Sequence, residues 1–225
     1  MKLVYGISTV NDGSMSVRQD QTNKDEVVNN RTVFLAKYNI KIQDCTRVTI
    51  AYGGDDYLRY FEVDEKDKGE GMFDGNSRAA DALVTRQPGH ALFLPLADCV
   101  GAVIFDPVKQ ILMMSHIGRH SLEQFGATAS VKFLIDKYGC HPEQLIVWLT
   151  PAPGPEKYPL FAFDNRGFKD VVLEQLQSAG IKLENVNDDS TDTTIDQRFY
   201  SHSQFLAGQQ ADDGRYAIVA MMRQD

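Results

Sequence analysis

Five short apolar runs, each bounded by turn-forming residues, constrain this chain more than any other feature: Ala91–Leu96, Gly101–Phe105, Ile111–Ser115, Leu145–Leu149 and Tyr216–Met221. Each is too short for a buried helix and has the length of a buried strand. Helical spacing appears between them. Val27, Arg31, Leu35 and Tyr38 recur every three or four residues across Lys24–Tyr38, and Leu122, Phe125, Ala129 and Phe133 do so after His120 until Gly139. A third set, Phe168, Val172, Leu176 and Ala179, ends at Gly180. The expected class is α+β, one compact domain over residues 1–225 with mixed β-sheets and flanking helices. A chain of 225 residues at 43% hydrophobic content supplies one substantial core and little room for a second. Asp12–Gly13, Gly53–Gly54, Lys66–Gly75 and Pro151–Pro159 are rich in Gly, Pro or charge and read as loops.

The formal charge of -8 sets a surface field that repels phosphate backbones and anionic lipid heads. Nucleic acid and membrane partners are therefore not expected, which leaves a small-molecule substrate and a monomer or weak homodimer. Met1–Ile7 is too short for a secretory apolar region, and the expected compartment is the cytoplasm. Cys45, Cys99 and Cys140 are too few and too scattered for a disulfide framework, and no CxxC pair occurs.

Chemistry concentrates around the second and third runs. The text between them, Asp106-Pro107-Val108-Lys109-Gln110, reads as the turn of an antiparallel hairpin. A turn centred near Val108 sets position 99 opposite roughly position 117, where opposed residues stand about 5 Å apart. Cys99 and His116 become neighbours in that register. A thiol beside an imidazole suits two chemistries: ligation of zinc or copper, or a nucleophile with its base. A buried cysteine packed as a small hydrophobe and a structural histidine are the bland alternatives. His120 stands four residues after His116, with Gly118 between them. It joins the pair if the helix begins early and is an exposed helix-start residue otherwise. His90 reads as surface, His141 as a loop residue and Trp148 as core. Asp81, Gly89, Pro107 and Gly118 read as turn and packing residues.

The same stretches resemble the YfiH family, described variously as polyphenol oxidase, laccase-domain protein and purine nucleoside phosphorylase. The resemblance rests on Ala80-Asp-Ala-Leu-Val-Thr85, Pro88-Gly89, Ala97-Asp-Cys99, Asp106-Pro107 and His116-x-Gly118. It extends to Gly6–Thr9, Gly13 and Ser16, to Asn30-Arg31 and Leu35, and to Arg198–Ser201 and Gly214–Tyr216. It implies a compact α+β fold, a mononuclear zinc or copper site of two His and one Cys, and phosphorolysis of purine nucleosides, adenosine deamination or phenol oxidation as activities. On this chain it implies Cys99 and His116 as metal ligands and catalytic residues, Tyr52 and His120 as auxiliary catalytic groups, and Arg119, Asp98 and Thr150 as substrate-binding residues. Asp98 would also orient the ligands.

Departures from the family pattern fall at functional positions. Ile50-Ala51-Tyr52-Gly53 stands where the family has Gln-Val-His-Gly, so a phenol replaces the first imidazole. His116-Ile-Gly-Arg119-His120-Ser121 replaces His-Ala-Gly-Trp-Arg-Gly, Val10 replaces an Arg, Thr191-Asp192 a Cys-Thr pair, and His202-Ser203-Gln204 a Tyr-Arg-Arg. A phenol ligates poorly unless ionised, and lost guanidiniums weaken phosphate recognition. Two alternatives follow: a non-enzymatic paralogue that binds a small ligand or a protein, and a metal-free hydrolase using Cys99 with His116 as base. The hydrolase requires a depressed Cys99 pKa.

Overall fold

The computed structural model describes residues 1–17, 22–74 and 77–224; Gly75, at the end of the loop stretch Lys66–Gly75, lies outside them. Among these residues the strands are β1 (Lys2–Ile7), β2 (Cys45–Arg47), β3 (Tyr60–Glu62), β4 (Ala82–Thr85), β5 (Ala91–Leu96), β6 (Val100–Asp106), β7 (Ile111–Ile117), β8 (Ile146–Leu149), β9 (Val186–Asp188) and β10 (Tyr216–Arg223). The helices are α1 (Lys24–Ala36), α2 (Arg119–Glu123), α3 (Gly126–Tyr138), α4 (Phe168–Ser178) and α5 (His202–Leu206). All five apolar runs are strands. They form two mixed sheets, ordered β1-β10-β5-β2 and β3-β4-β7-β6-β8-β9.

Three apolar clusters show how the sheets stack. Leu92, Leu94, Ile218 and Ala220 of the first sheet meet Leu83, Val103, Phe105, Leu112 and Met114 of the second, so the sheets pack face to face. The outer face of the second sheet (Val84, Ala102, Ile104, Met113) packs on Val131 and Leu134 of α3 and on Phe168, Val172 and Leu176 of α4. The outer face of the first (Ala91, Phe93, Val219) packs on Phe34 and Leu35 of α1. Because strand side chains alternate between faces, each central strand must be apolar throughout to serve two layers. This is why β6 and β7 are buried at every position. No helix among the described residues is long and apolar enough to cross a membrane.

Two local expectations are corrected. The helical period after His120 is not one helix: α2 ends at Glu123, Phe125 takes the left-handed region at φ 59°, and α3 starts at Gly126. The turn brings Gly126 against the end of α2, where a Cβ would lie 2.8 Å from the Ser121 carbonyl oxygen, so only glycine fits there. Phe125 is consequently 65% exposed, and Ala127, Val131 and Leu134 carry the buried face instead of Ala129 and Phe133. His90, read as surface, is fully buried. The turn before β5 folds it inward, where Thr46 Oγ1 lies 2.7 Å from its Nε2.

Candidate active site

The β6–β7 hairpin closes one residue later than the sequence suggests. Asp106 pairs with Ile111, and its Oδ1 accepts from the backbone N–H groups of Val108 and Lys109, which fixes a four-residue loop. Val100 then opposes Ile117 and Gly101 opposes His116, so Cys99, just before β6, comes opposite Gly118. Alternation puts Cys99, Gly101, His116 and Gly118 on one face. That face looks toward the first sheet, as a Cβ on Gly101 would lie 3.2 Å from Ile218 and 3.3 Å from Leu94. The site therefore sits at one end of the seam between the sheets. Gly118 leaves the space that both groups share: a Cβ there would lie 2.8 Å from His116 Cε1 and 3.3 Å from Cys99 Sγ. Its role is thus more than a turn, because removing its side chain lets thiol and imidazole converge.

Each group is held from behind. Asp98 has φ 60°, and its carboxylate accepts from Thr193 Oγ1 (2.9 Å), Ser201 Oγ (3.0 Å) and the Ser203 N–H (2.7 Å). Those bonds occupy the oxygens proposed for substrate and fix the turn that presents Cys99. The His116 N–H donates to the Asp81 carbonyl at 2.8 Å. The buried Asp81 carboxylate accepts a two-point contact from Arg59, at 2.7 Å from Nε and 3.0 Å from Nη2. Burial pushes the Cys99 thiol up to about 12; Asp98 adds to this, and Arg215 and Arg119 oppose it. Burial pulls the His116 imidazole down to about 4, against a smaller opposing pull from Asp81. Both are uncharged at neutral pH. The depressed thiol required of a metal-free cysteine hydrolase is the reverse of what the structure gives.

Cys99 and His116 open into a cavity of about 570 Å³. Tyr52, Asp98, Arg119 and His120 also line it, as do Tyr57, Tyr158, Arg47, Arg215 and His202. Tyr52 is 69% exposed at the mouth. Surrounding protein and then Cys99 raise its phenol above the ordinary value, the first effect weakened by that exposure. His120 does not join His116; its ring stacks on Tyr57 at 4.7 Å and 19°. Thr150 is buried behind β6, where its Oγ1 accepts from the Gly101 N–H at 2.9 Å, and it does not line the cavity. The tyrosines at 57 and 158 and Arg47 carry no local sequence signal, because they arrive from distant loops and strand ends, and Arg215 is visible only within the family-like segment Gly214–Tyr216. His202 is visible in the sequence only as a departure from the family pattern.

The donor set tests the metal site that the resemblance implies. Among the described residues no group of three His, Cys, Asp or Glu side chains is placed to hold a metal ion. Catalytic zinc takes three protein ligands besides water. The residues present do not fit a three-ligand zinc or copper centre at Cys99 and His116.

A two-sheet α+β scaffold with a Cys–His pair at the end of the inter-sheet seam defines the class. The chain belongs to the family described as multi-copper polyphenol oxidoreductase laccase, whose sequence profile matches residues 5–170. It is 25% identical over 162 residues to the purine nucleoside phosphorylase YlmD of Bacillus subtilis, a match covering 67% of this chain and 56% of that protein. To human purine nucleoside phosphorylase LACC1 it is 36% identical over 75 residues, covering 33% of this chain and 17% of the human one. The matched stretches thus span a little over half of YlmD and under a fifth of LACC1. The crystal structure of the Bacillus licheniformis hypothetical protein YfiH superposes with a TM-score of 0.86 at 21% identity, covering 98% of this chain and 93% of that one. YlmD from Geobacillus stearothermophilus gives 0.86 at 19%, covering 99% and 92%.

Proposed function

We propose that this chain is an enzyme that cleaves purine nucleosides by phosphorolysis in the cavity at Cys99 and His116. One observation carries the reading. Three tyrosine rings (Tyr52, Tyr57, Tyr158) and three arginines (Arg47, Arg119, Arg215) line the same cavity as the Cys–His pair. Its volume of about 570 Å³ falls within the roughly 300–1,000 Å³ typical of small-molecule sites. Aromatic faces suit a purine, and guanidinium groups suit phosphate. Arg119 lines the cavity, which offsets the arginines this chain lacks relative to the family pattern. The names of the relatives support the same reaction. Neutral Cys99 and His116 would serve as hydrogen-bonding groups to the nucleoside, since neither carries charge at neutral pH. Zinc or copper at this pair would have two protein donors, so the reading assigns no step to a metal.

The missing third donor favours one second reading, a paralogue that binds a nucleoside-like ligand without turning it over. Purified protein incubated with inosine or adenosine, with and without phosphate, separates the possibilities. Phosphate-dependent release of free base supports phosphorolysis. Ammonia release without phosphate means deamination instead, and saturable binding with no product means the paralogue; either outcome removes the proposed reaction.

A further inference from the structure

A second histidine lines the cavity from a segment other than the one carrying His116. His202 opens α5, and its Nδ1 stands 3.0 Å from Asp213 Oδ1. An ionised carboxylate only accepts, so Nδ1 carries the proton and the neutral ring keeps a lone pair on Nε2. Arg215 Nη1 holds the same Asp213 oxygen at 2.6 Å. Burial alone would raise the Asp213 carboxyl, but the hydrogen bonds from Arg215 and His202 outweigh it and keep the carboxyl below its ordinary value. The ring is steadied by Phe205, stacked at 6.5 Å and 27°. Its helix is tied to the Cys99 turn, because the Asp98 carboxylate that fixes this turn also accepts from Ser201 Oγ and the Ser203 N–H. One carboxylate thus sets both the Cys99 side of the cavity and the helix that bears His202.

We propose that His202, oriented by Asp213, is a catalytic residue that carries the proton in nucleoside cleavage; the proposal rests on the phosphorolysis reading. In that reaction an oxygen of hydrogen phosphate bonds to C1′ while the C1′–N9 bond breaks, and its electron pair stays with the purine. His202, neutral with its lone pair on Nε2, takes the proton of the attacking hydrogen phosphate and becomes an imidazolium. It then gives that Nε2 proton to a ring nitrogen of the departing purine, so the ring ends as it began. The Asp213 carboxylate balances the charge of the imidazolium, and Arg215 keeps Asp213 in place. Asp213 is the charged group on the ring, and Arg215 reaches it through Asp213.

The test combines kinetics with imidazole NMR on the intact chain. His202→Gln is expected to lower kcat by about 10²-fold, the low end for loss of a general acid–base, with little change in KM. Asp213→Asn is expected to fall between this variant and the native chain. In 15N-histidine spectra of the native protein, His202 should show an Nδ1–H tautomer, and its Nε2 signal should move when inosine is added. Native turnover that His202→Gln retains in full overturns the dyad and spares the phosphorolysis reading. No turnover by the native chain overturns that reading, and a His202 signal indifferent to inosine overturns the dyad as well. A signal that moves without turnover overturns the proton-carrying role and leaves His202 as a ligand contact alone. His202 is half-exposed, so the glutamine variant keeps the fold, which unchanged circular dichroism checks.

Discussion

At the scale of single residues, the site depends on what small or unusual side chains permit. Gly118 makes room where His116 and Cys99 meet, and Asp98 takes a left-handed conformation to present the thiol. The closeness of Cys99 and His116 was legible, because strand alternation and an antiparallel register are enough to juxtapose them. Of the wall, Tyr52 and Arg119 were reached through the family resemblance, whereas Tyr57, Tyr158 and Arg47 were not, since each comes from a segment whose route depends on the whole fold. Tyr52 yields a prediction. Tyr52→His adds an imidazole at the cavity mouth, and metal analysis after dialysis should rise from well below one zinc per chain in the native protein toward one in the variant. Equal occupancy in both would show that Tyr52 is not the missing ligand. His90 yields another. Thr46 Oγ1 donates its proton to the Asp67 carbonyl at 2.7 Å, so it accepts from His90 Nε2, leaving buried Nδ1 without a partner among the described residues. Burial, aided by Lys68, pulls this imidazole from 6.5 down to about 4. Its unfolded form therefore binds the proton first as the pH falls. Stability is full above about 6.5 and declines toward 4, by on the order of 3 kcal/mol from this group. Denaturant unfolding at pH 7 and pH 4.5 should show a smaller loss in His90→Gln than in the native chain; an identical loss would assign the effect elsewhere.

At the scale of elements, apolar runs translated into strands directly, and helical spacing translated with one error. The period through Leu122, Phe125, Ala129 and Phe133 is genuine, but spacing cannot register that Gly126 must lie against the backbone at Ser121. The helix breaks there, with Phe125 left-handed at φ 59°. A non-glycine residue pays roughly 1–2 kcal/mol for this conformation. Phe125→Gly should relieve about 1 kcal/mol of it and raise the unfolding midpoint, because the ring it removes is mostly exposed. A lowered midpoint would mean that the ring packs more strongly than its exposure suggests. β2, β3 and β9 escaped the sequence reading because three residues are too few to display alternation.

At the scale of the molecule, the class was legible and the stacking was not. Uninterrupted apolar text in β6 and β7 fits a strand buried on both faces, but it does not say whether a helix or a second sheet covers each one. The answer, helix–sheet–sheet–helix, places the functional end of β6 and β7 at the mouth of the seam between sheets. There the loops after β2, β5 and β8 and before β10, with α2 and the start of α5, bring in the remaining groups. The central claim is that Cys99 and His116 serve one ligand in this cavity. A crystal structure of the chain soaked with inosine and phosphate tests it most directly. The account predicts a nucleoside in contact with both side chains, its purine against a tyrosine of the wall. A nucleoside bound elsewhere, or Cys99 and His116 directed into separate regions, would contradict it.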